Sequence, residues 1–319
     1  MKKILITGAG GFIGSFLVEE ALKRDWNTWA GIRKSTGREY LRDNRIQFTD
    51  LTYNNKTELK EQLRHHTDQY GKWDYIIHNA GVTKCIDPQD FERVNYLFTK
   101  NLIEALIETE NIPEKFILMS SLSAYPHPET SYGRSKQKAE EFLYSTNGFP
   151  FIIMRPTGVY GPREKDYYLM VKSVKAGFDF AAGLKPQKLT FIYVKDLVKA
   201  CFLSLESVVE KKAYCVADGN VYTDAEYTRI VKESLGKKFV IRIKVPLFIL
   251  KGVSGIAEAI SRITRKPSTL NRDKYKIMKK RDWTCDTHPL ENELGFKADY
   301  NLIQGMQETI EWYQTNKWI

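Results

Sequence analysis

The sequence predicts an α/β chain: a doubly wound parallel sheet followed by a smaller C-terminal lobe. Three observations carry that expectation. Short apolar runs of strand length alternate with amphipathic stretches of helix length from Lys3 to Met154, the pattern of a parallel sheet covered by helices on both faces. A glycine turn, Gly8-Ala-Gly-Gly11-Phe-Ile-Gly14, joins the first apolar run to the first amphipathic one. The rhythm then breaks at Arg155-Pro-Thr-Gly-Val-Tyr160-Gly-Pro162, where the chain crosses into its second lobe.

Taken in order, Lys3–Thr7 reads as a buried first strand and the run to Arg24 as its helix. Strand, glycine turn and helix in that order are the context of a dinucleotide fingerprint, so the sheet is expected to be of the Rossmann type. Gly8 permits the tight turn, Gly11 lets backbone approach a pyrophosphate, and Gly14 lets the helix pack on the strand. The N–H groups and dipole at the helix start then receive the phosphate charge. Asn27–Ile32 is the second strand, ending in Gly31-Ile-Arg33-Lys34. An acidic residue there would bind a ribose 2′-hydroxyl. None is present and two cations are, which favours NADP(H) over NAD(H) unless Arg33 simply points to water.

Arg45–Thr49 is the third strand, with Asp50-Leu51 at its end, where a carboxylate could meet an adenine amino group. A polar helix over about 56–70 leads to strand Trp73–His78 and then Asn79-Ala80-Gly81, small residues that suit close approach. Phe91–Glu110 is an amphipathic helix carrying Asn95. Strand Lys115–Met119 delivers Ser120 and Ser121 at its carboxyl end, where ligands of open α/β sheets bind. Tyr132–Tyr144 is the next helix and Phe151–Met154 the sixth strand. Further on, Thr190–Leu205 supplies a strand and a helix, Tyr214–Ala217 a strand, and Leu302–Tyr313 a last helix anchored by Trp312 and Tyr313. Val245–Ile263 is strongly apolar, either a buried helix of the small lobe or a membrane-surface or acyl-contacting one. Residues 1–155, with 188–217 returning, form the dinucleotide-binding domain, and 156–319 form mainly a substrate-binding lobe.

With 319 residues, 42% hydrophobic and 28% charged, the chain has the composition of an ordinary globular protein of one large or two unequal domains. Cys85, Cys201, Cys215 and Cys285 form no C-x-x-C pair, which argues for reduced thiols and a cytoplasmic location, not a disulfide framework. His65-His66, in a polar stretch, reads as solvated, and no metal is indicated. The apolar run after Met1 is too short before the glycines for a signal peptide, and no stretch reaches the roughly 20 apolar residues of a membrane span. Net charge is +10, and Arg262–Arg281 holds nine Lys or Arg against one acid, Asp273. Such a patch attracts phosphates or anionic lipid surfaces. No recognition motif accompanies it, so no nucleic-acid partner is expected. Weak membrane-surface contact through this basic lobe is a further expectation.

The chemistry concentrates between Met119 and Glu140. Tyr132 and Lys136 stand four residues apart, one turn on a shared helix face. A free phenol titrates near about 10 and is a poor base at neutral pH. A nearby ammonium is expected to lower that value and allow proton exchange with a substrate oxygen, while Ser121 could hydrogen-bond the same oxygen. Tyr-x-x-x-Lys also arises by chance in helices. Here the glycine turn at the start of the chain gives it weight.

These pieces together resemble the extended short-chain dehydrogenase/reductase family, also called NAD-dependent epimerase/dehydratases, over nearly the whole chain. The matching elements are Thr7-Gly8-x-x-Gly11-x-x-Gly14, Asp50-Leu51, Asn95, Ser120-Ser121, Tyr132-x-x-x-Lys136, Arg155-Pro156, Val159-Tyr160-Gly161-Pro162, Val194-x-Asp196 and the tail from Glu293-Leu-Gly-Phe296 to Trp312-Tyr313. The resemblance implies that Tyr132 is general acid/base, that Lys136 holds the nicotinamide ribose and tunes the tyrosine, and that Ser121, or alternatively Ser123, holds the substrate oxygen. It implies cofactor contacts from Gly8, Gly11, Phe12, Ile13, Gly14, Arg33, Asp50, Leu51, Ala80 and Asn95, with Pro156 and Val159 near the nicotinamide.

The Ser121-to-Tyr132 interval is shorter than extended members usually show, which hints at a more open substrate mouth. Two activities compete. One is an NADPH-dependent ketone reductase, or the reverse secondary-alcohol dehydrogenase, on a hydrophobic or lipid-like substrate; the tail from Pro246 to Asp286 looks like dihydroflavonol reductases and 3β-hydroxysteroid-type enzymes. The other is a nucleotide-sugar epimerase, dehydratase or reductase using NAD, in which Tyr160, Arg163 and the basic tail would serve the sugar and its diphosphate. A non-catalytic cofactor-binding scaffold is the third. Family members often pair through the helices matching about 90–110 and 132–146, so a homodimer is expected.

Overall fold

The computed structural model describes residues 1–265, 268 and 270–319, and of Arg262 the backbone alone. Lys266 of the basic run therefore lies outside the described residues. Two compact units are present: Met1–Arg155 with Val198–Tyr214, and Pro156–Leu197 with Cys215–Ile319.

The first unit is built on strands β1 (Lys3–Thr7), β2 (Asn27–Gly31), β3 (Gln47–Thr49), β4 (Tyr75–His78), β5 (Lys115–Met119) and β6 (Phe151–Pro156). With strand Lys212–Val216 they form one sheet in the order Lys212–Val216, β6, β5, β4, β1, β2, β3. The pairs from β3 to β6 are all parallel. The interior strands read as continuous apolar runs because both faces are covered: Leu5, Ile76, Phe116, Leu118, Phe151 and Ile153 are buried in one cluster, each contributing about 1.5–3 kcal/mol of transfer free energy.

The covering helices begin with α1 (Phe12–Lys23) and α2 (Lys56–Tyr70). Helix α2 starts at Asn55, whose side chain accepts the Glu58 N–H, and stops at Gly71 with φ of 78°. Its otherwise polar sequence buries only Leu59, Leu63 and His66, one stripe at helical spacing. This corrects the reading of His66 as solvated. Its ring stacks on Trp73 at 3.8 Å and meets Trp29 edge-on, and burial pushes its pKa down to about 4. The segment expected to be one amphipathic helix is composite: α3 (Gln89–Phe91), a π-helical turn Glu92–Leu97 and α4 (Phe98–Glu108). Asn95 sits in the π turn, a distortion frequent at functional sites. Helix α5 (Ser131–Ser145) follows a short 3-10 turn, Leu122–Ala124.

The second unit contains β7 (Gly158–Tyr160), α6 (Asp166–Lys175), β8 (Phe178–Ala182), β9 (Lys188–Leu189), β10 (Phe191–Tyr193) and the start of α7 (Val194–Glu206). After β11 (Lys212–Val216) come β12 (Tyr222–Thr223), α8 (Asp224–Ser234), β13 (Ile241–Val245), α9 (Leu247–Thr264), α10 (Arg272–Lys279), α11 (His288–Leu294) and α12 (Leu302–Thr315). Three two-stranded ribbons pair β7 with β10, β9 with β12, and β8 with β13. Capping boxes fix the starts of α8 (Thr223, Glu226) and α12 (Asn301, Gln304). Buried Asp196 accepts the N–H groups of Asp299 and Tyr300, at 3.0 Å each, tying the C-terminal segment to the start of α7. An aromatic core of Tyr160, Phe191, Tyr193, Tyr227 and Tyr313 fills this unit. Cys215 and Cys285, remote in sequence, share a thiol hydrogen bond.

Candidate active site

Strand order reverses between β1 and β4, and in an open α/β sheet that reversal opens a crevice at the carboxyl ends. The register Thr7 to His78 brings the glycine turn beside Asn79-Ala80-Gly81. The junction is held from below: the Ala80 N–H donates to Thr7 Oγ1 at 3.0 Å, Thr7 Oγ1 meets His78 Nδ1 at 2.9 Å, and His78 Nε2 meets Thr99 Oγ1 at 3.0 Å. The Thr99 hydroxyl proton is committed to the Asn95 carbonyl. His78 therefore carries its proton on Nε2 and accepts from Thr7. Burial first, then the Lys136 charge, pushes its pKa down to about 3, so it is a neutral strut.

The glycine turn fits a dinucleotide. A Cβ on Gly14 would lie 2.2 Å from the Gly8 carbonyl oxygen, so only glycine lets α1 start this close to β1. Helix α1 opens at Gly11 with no side-chain cap and no acid in its first turn, leaving the N–H groups near Phe12 and Ile13 for an anion. Arg33 and Lys34 are exposed on a turn that rests against this loop, since a Cβ on Gly10 would lie 2.5 Å from Thr36 Cγ2. Asp50 Oδ2 accepts the Lys34 N–H at 2.9 Å, so Asp50 shapes the cationic turn. Leu51 is buried in the core cluster.

At the end of β5, Ser121 and Tyr132 meet. Thr130 caps α5 by accepting the Gly133 N–H at 2.9 Å. Gly133 then allows the helix to press on the 121–124 turn, because a Cβ there would lie 2.2 Å from the Ser123 carbonyl oxygen. The Ser121 hydroxyl accepts the Ser123 N–H at 3.1 Å and hydrogen-bonds the Tyr132 phenol. Burial raises the phenol pKa above its ordinary value, and the Ser121 bond pulls the other way. The expectation that an ammonium lowers it is not met. Lys136 Nζ donates instead to the Met119 carbonyl at 2.7 Å, and burial lowers the lysine pKa to about 8.

Asn95 is buried, with Oδ1 accepting the Val82 N–H at 2.8 Å and Nδ2 donating to the Val82 carbonyl and Ser135 Oγ at 3.0 Å. It brackets the loop after β4 to α5 beside Lys136; a Cβ on Gly81 would lie 2.9 Å from its Oδ1 and 3.1 Å from Lys136 Nζ. A residue missed in the sequence is Glu140, one turn beyond Lys136. Its buried carboxylate accepts the Ser120 hydroxyl and pairs with Arg155, whose guanidinium lies 4.3 Å over the Tyr125 ring. Its signal was the helical spacing Tyr132, Lys136, Glu140.

Pro156 is buried at the end of β6 and Val159 half-buried on β7. Arg163 is half-buried with a left-handed φ of 75°. Tyr160 departs from its expected role toward substrate. It is 1% exposed, its phenol donates to the Asn301 carbonyl at 3.2 Å, and its ring packs against Phe191 and Tyr193. In its own unit it is a core residue.

A fold of this topology with Ser, Tyr and Lys gathered where β5 meets α5 is that of the extended short-chain dehydrogenase/reductases, enzymes that use a nicotinamide cofactor. The chain belongs to the NAD dependent epimerase/dehydratase family, whose model matches residues 4–217. It is 26% identical to a ceramide reductase of Caulobacter vibrioides, across 99% of this chain and 96% of that one. It is 24% identical to a UDP-glucose 4-epimerase of Vibrio cholerae, across 97% and 95%. The fold is also that of the UDP-glucose 4-epimerase of Thermotoga maritima solved with UDP-glucose, with a TM-score of 0.79, 19% identity and 99% of each chain covered.

Proposed function

We propose that the protein catalyses NADPH-dependent reduction of a ketone, or the reverse oxidation of a secondary alcohol, on a hydrophobic or lipid-like substrate. The observation that carries this reading is the Ser121 hydroxyl bonded to the buried Tyr132 phenol, whose pKa burial raises further above its ordinary value. A neutral phenol is poised to give a proton to a carbonyl oxygen, the direction a reductase needs. The end-to-end similarity to a ceramide reductase supports a lipid-like ketone, and the exposed Arg33 and Lys34 support a 2′-phosphate.

In this reading Gly8, Gly11, Phe12, Ile13, Gly14 and Arg33 would hold the cofactor, which when bound would supply the hydride that reduction of the carbonyl carbon requires. Tyr132 donates its phenol proton to the carbonyl oxygen, so that hydride and proton together convert the ketone to an alcohol. Ser121 hydrogen-bonds the same oxygen. The Lys136 ammonium, held on the Met119 carbonyl, would bind the ribose hydroxyls of the cofactor. Asn95, Asp50 and Glu140 act as positioning residues. The second unit forms the substrate lobe, the protein acts in the cytoplasm, and two copies pair through the helices over about 90–110 and 132–146.

The competing reading, a nucleotide-sugar epimerase, dehydratase or reductase using NAD, is favoured by the whole-chain likeness to UDP-glucose 4-epimerases. Purified protein offered NADPH with hydrophobic ketones and 3-keto lipids, and in parallel NAD with nucleotide sugars, separates the two. The expected outcome is NADPH oxidation dependent on a hydrophobic ketone, reduced about 10²–10⁴-fold in Tyr132→Phe. Sugar interconversion without net cofactor turnover would replace this proposal with the competing one.

A further inference from the structure

Helix α9 is amphipathic with its apolar side outward. Ile249, Val253, Ile256, Ile260 and Ile263 recur at the spacing of one helical face, and all are exposed, Ile256 at 64% and Ile263 at 83%. The side turned to protein carries Leu250, Ser254 and Ser261, all buried, and Ser254 satisfies its hydroxyl on the Leu250 carbonyl. This reverses the arrangement of a helix that packs its apolar stripe on a core. The expectation of a buried helix over Val245–Ile263 therefore fails along this stripe.

The chain leading into α9 continues the pattern. Strand β13 pairs with β8 so that Ile241 faces Phe178 and Ile243 faces Phe180, and all four are exposed. Between them in register, Arg242 and Asp179 form an ion pair, and Arg242 also binds Asp224. One side of the ribbon is thus apolar and the alternate positions are ionic. Helix α10 packs on α9 and, with the two residues after it, carries Arg272, Lys274, Lys276, Lys279, Lys280 and Arg281 against Asp273. Arg272 pairs with Glu258 of α9 and Lys276 with Asp273, which leaves this region net positive.

We propose that this face docks on an anionic lipid bilayer, with α9 lying in the plane of the interface, its isoleucine stripe at the acyl boundary and the cations of the α10 region against lipid phosphates. Among the described residues no helix is long and apolar enough to cross a membrane, so the contact lies on the surface. Charge favours a bilayer over a second copy of the chain. A two-fold dimer through this face would set the same cationic run against itself, and like charges so placed repel. The inference rests on the surface alone and holds whichever substrate the active site takes.

The test is co-sedimentation of the full-length protein with vesicles of phosphatidylcholine, with and without phosphatidylglycerol. The expected result is binding that requires phosphatidylglycerol and weakens as salt is raised. Ile256→Asp with Ile260→Asp should lower the bound fraction about tenfold or more, with unchanged circular dichroism and NADPH binding. Lys279→Glu with Lys280→Glu should weaken binding to anionic vesicles while the apolar stripe is intact. Equal recovery with and without phosphatidylglycerol, or an isoleucine double variant that binds like wild type, would overturn the proposal. So would a wild-type dimer that ignores vesicles and falls apart on the isoleucine substitutions, which would assign the face to a second copy.

Discussion

Lys136 Nζ donates to the Met119 carbonyl at 2.7 Å, so this buried ammonium is held by the end of β5 and not by the Tyr132 phenol. Its pKa of about 8 has burial as its first cause, opposed by the charge of Glu140. The folded value lies below the unfolded one, so the unfolded chain holds this proton more tightly. The lysine's contribution to stability therefore rises as pH climbs through about 8 toward the unfolded value. Catalysis runs the opposite way, because the ammonium disappears over the same range. We expect kcat/KM for ketone reduction to fall above pH about 8, and Lys136→Met to lose that limb along with most of the rate. A wild-type profile level to pH about 9.5 would contradict the assignment.

Glu140 links the two halves of this chemistry. Replacing it with Gln leaves the Arg155 guanidinium, 13% exposed at its side chain, without its carboxylate. Breaking a buried pair from one side costs about 3–5 kcal/mol, which urea unfolding should register. Because the Glu140 charge raises the Lys136 pKa, the alkaline limb should also move to lower pH. A purely structural Glu140 would lower stability and leave the limb in place. Ser120→Ala, which removes only the hydroxyl bonded to Glu140, supplies a milder variant if Glu140→Gln does not fold.

Gly133→Ala tests whether α5 must touch the serine turn. The added methyl would lie 2.2 Å from the Ser123 carbonyl oxygen, so the helix must shift away from Ser121. We expect kcat to drop at least about tenfold with NADPH affinity little changed, since a small misplacement of reacting groups is costly. Gly252→Ala, which meets nothing within 4 Å, should leave activity unchanged and stabilise α9 by up to about 1 kcal/mol.

Much of this architecture was legible because its signals are local. Lys3–Thr7 and Lys115–Met119 were read at their observed bounds, since a strand buried on both faces appears as an unbroken apolar run. The glycine turn and the Tyr132–Lys136 spacing are equally local. What escaped was set by tertiary contact. His66 lies in a polar helix, and only the fold brings Trp29 and Trp73 onto it. Tyr160 sits in a motif that suggests substrate, yet α12 packs against it so closely that a Cβ on Gly305 would lie 2.2 Å from its phenol oxygen. The apolar period of α9 was plain, but periodicity does not say which side a helix turns to the protein. The short ribbons of the second unit, some only two residues per strand, leave no period to read.

Arg33 and Lys34 make a prediction on the cofactor alone. Arg33→Ala should reduce NADPH affinity about tenfold or more, the worth of one charge-assisted bond to a phosphate, and leave NADH affinity nearly unchanged.

The most direct test of the central claim is the ratio of NADPH to NADH affinity, titrated on purified protein after checking for retained nucleotide. An NADPH-dependent reductase predicts protein free of nucleotide and at least about tenfold tighter binding of NADPH. Tightly retained NAD, or equal affinities that Arg33→Ala does not alter, would contradict it and point to a cofactor recycled within each turnover on a nucleotide sugar.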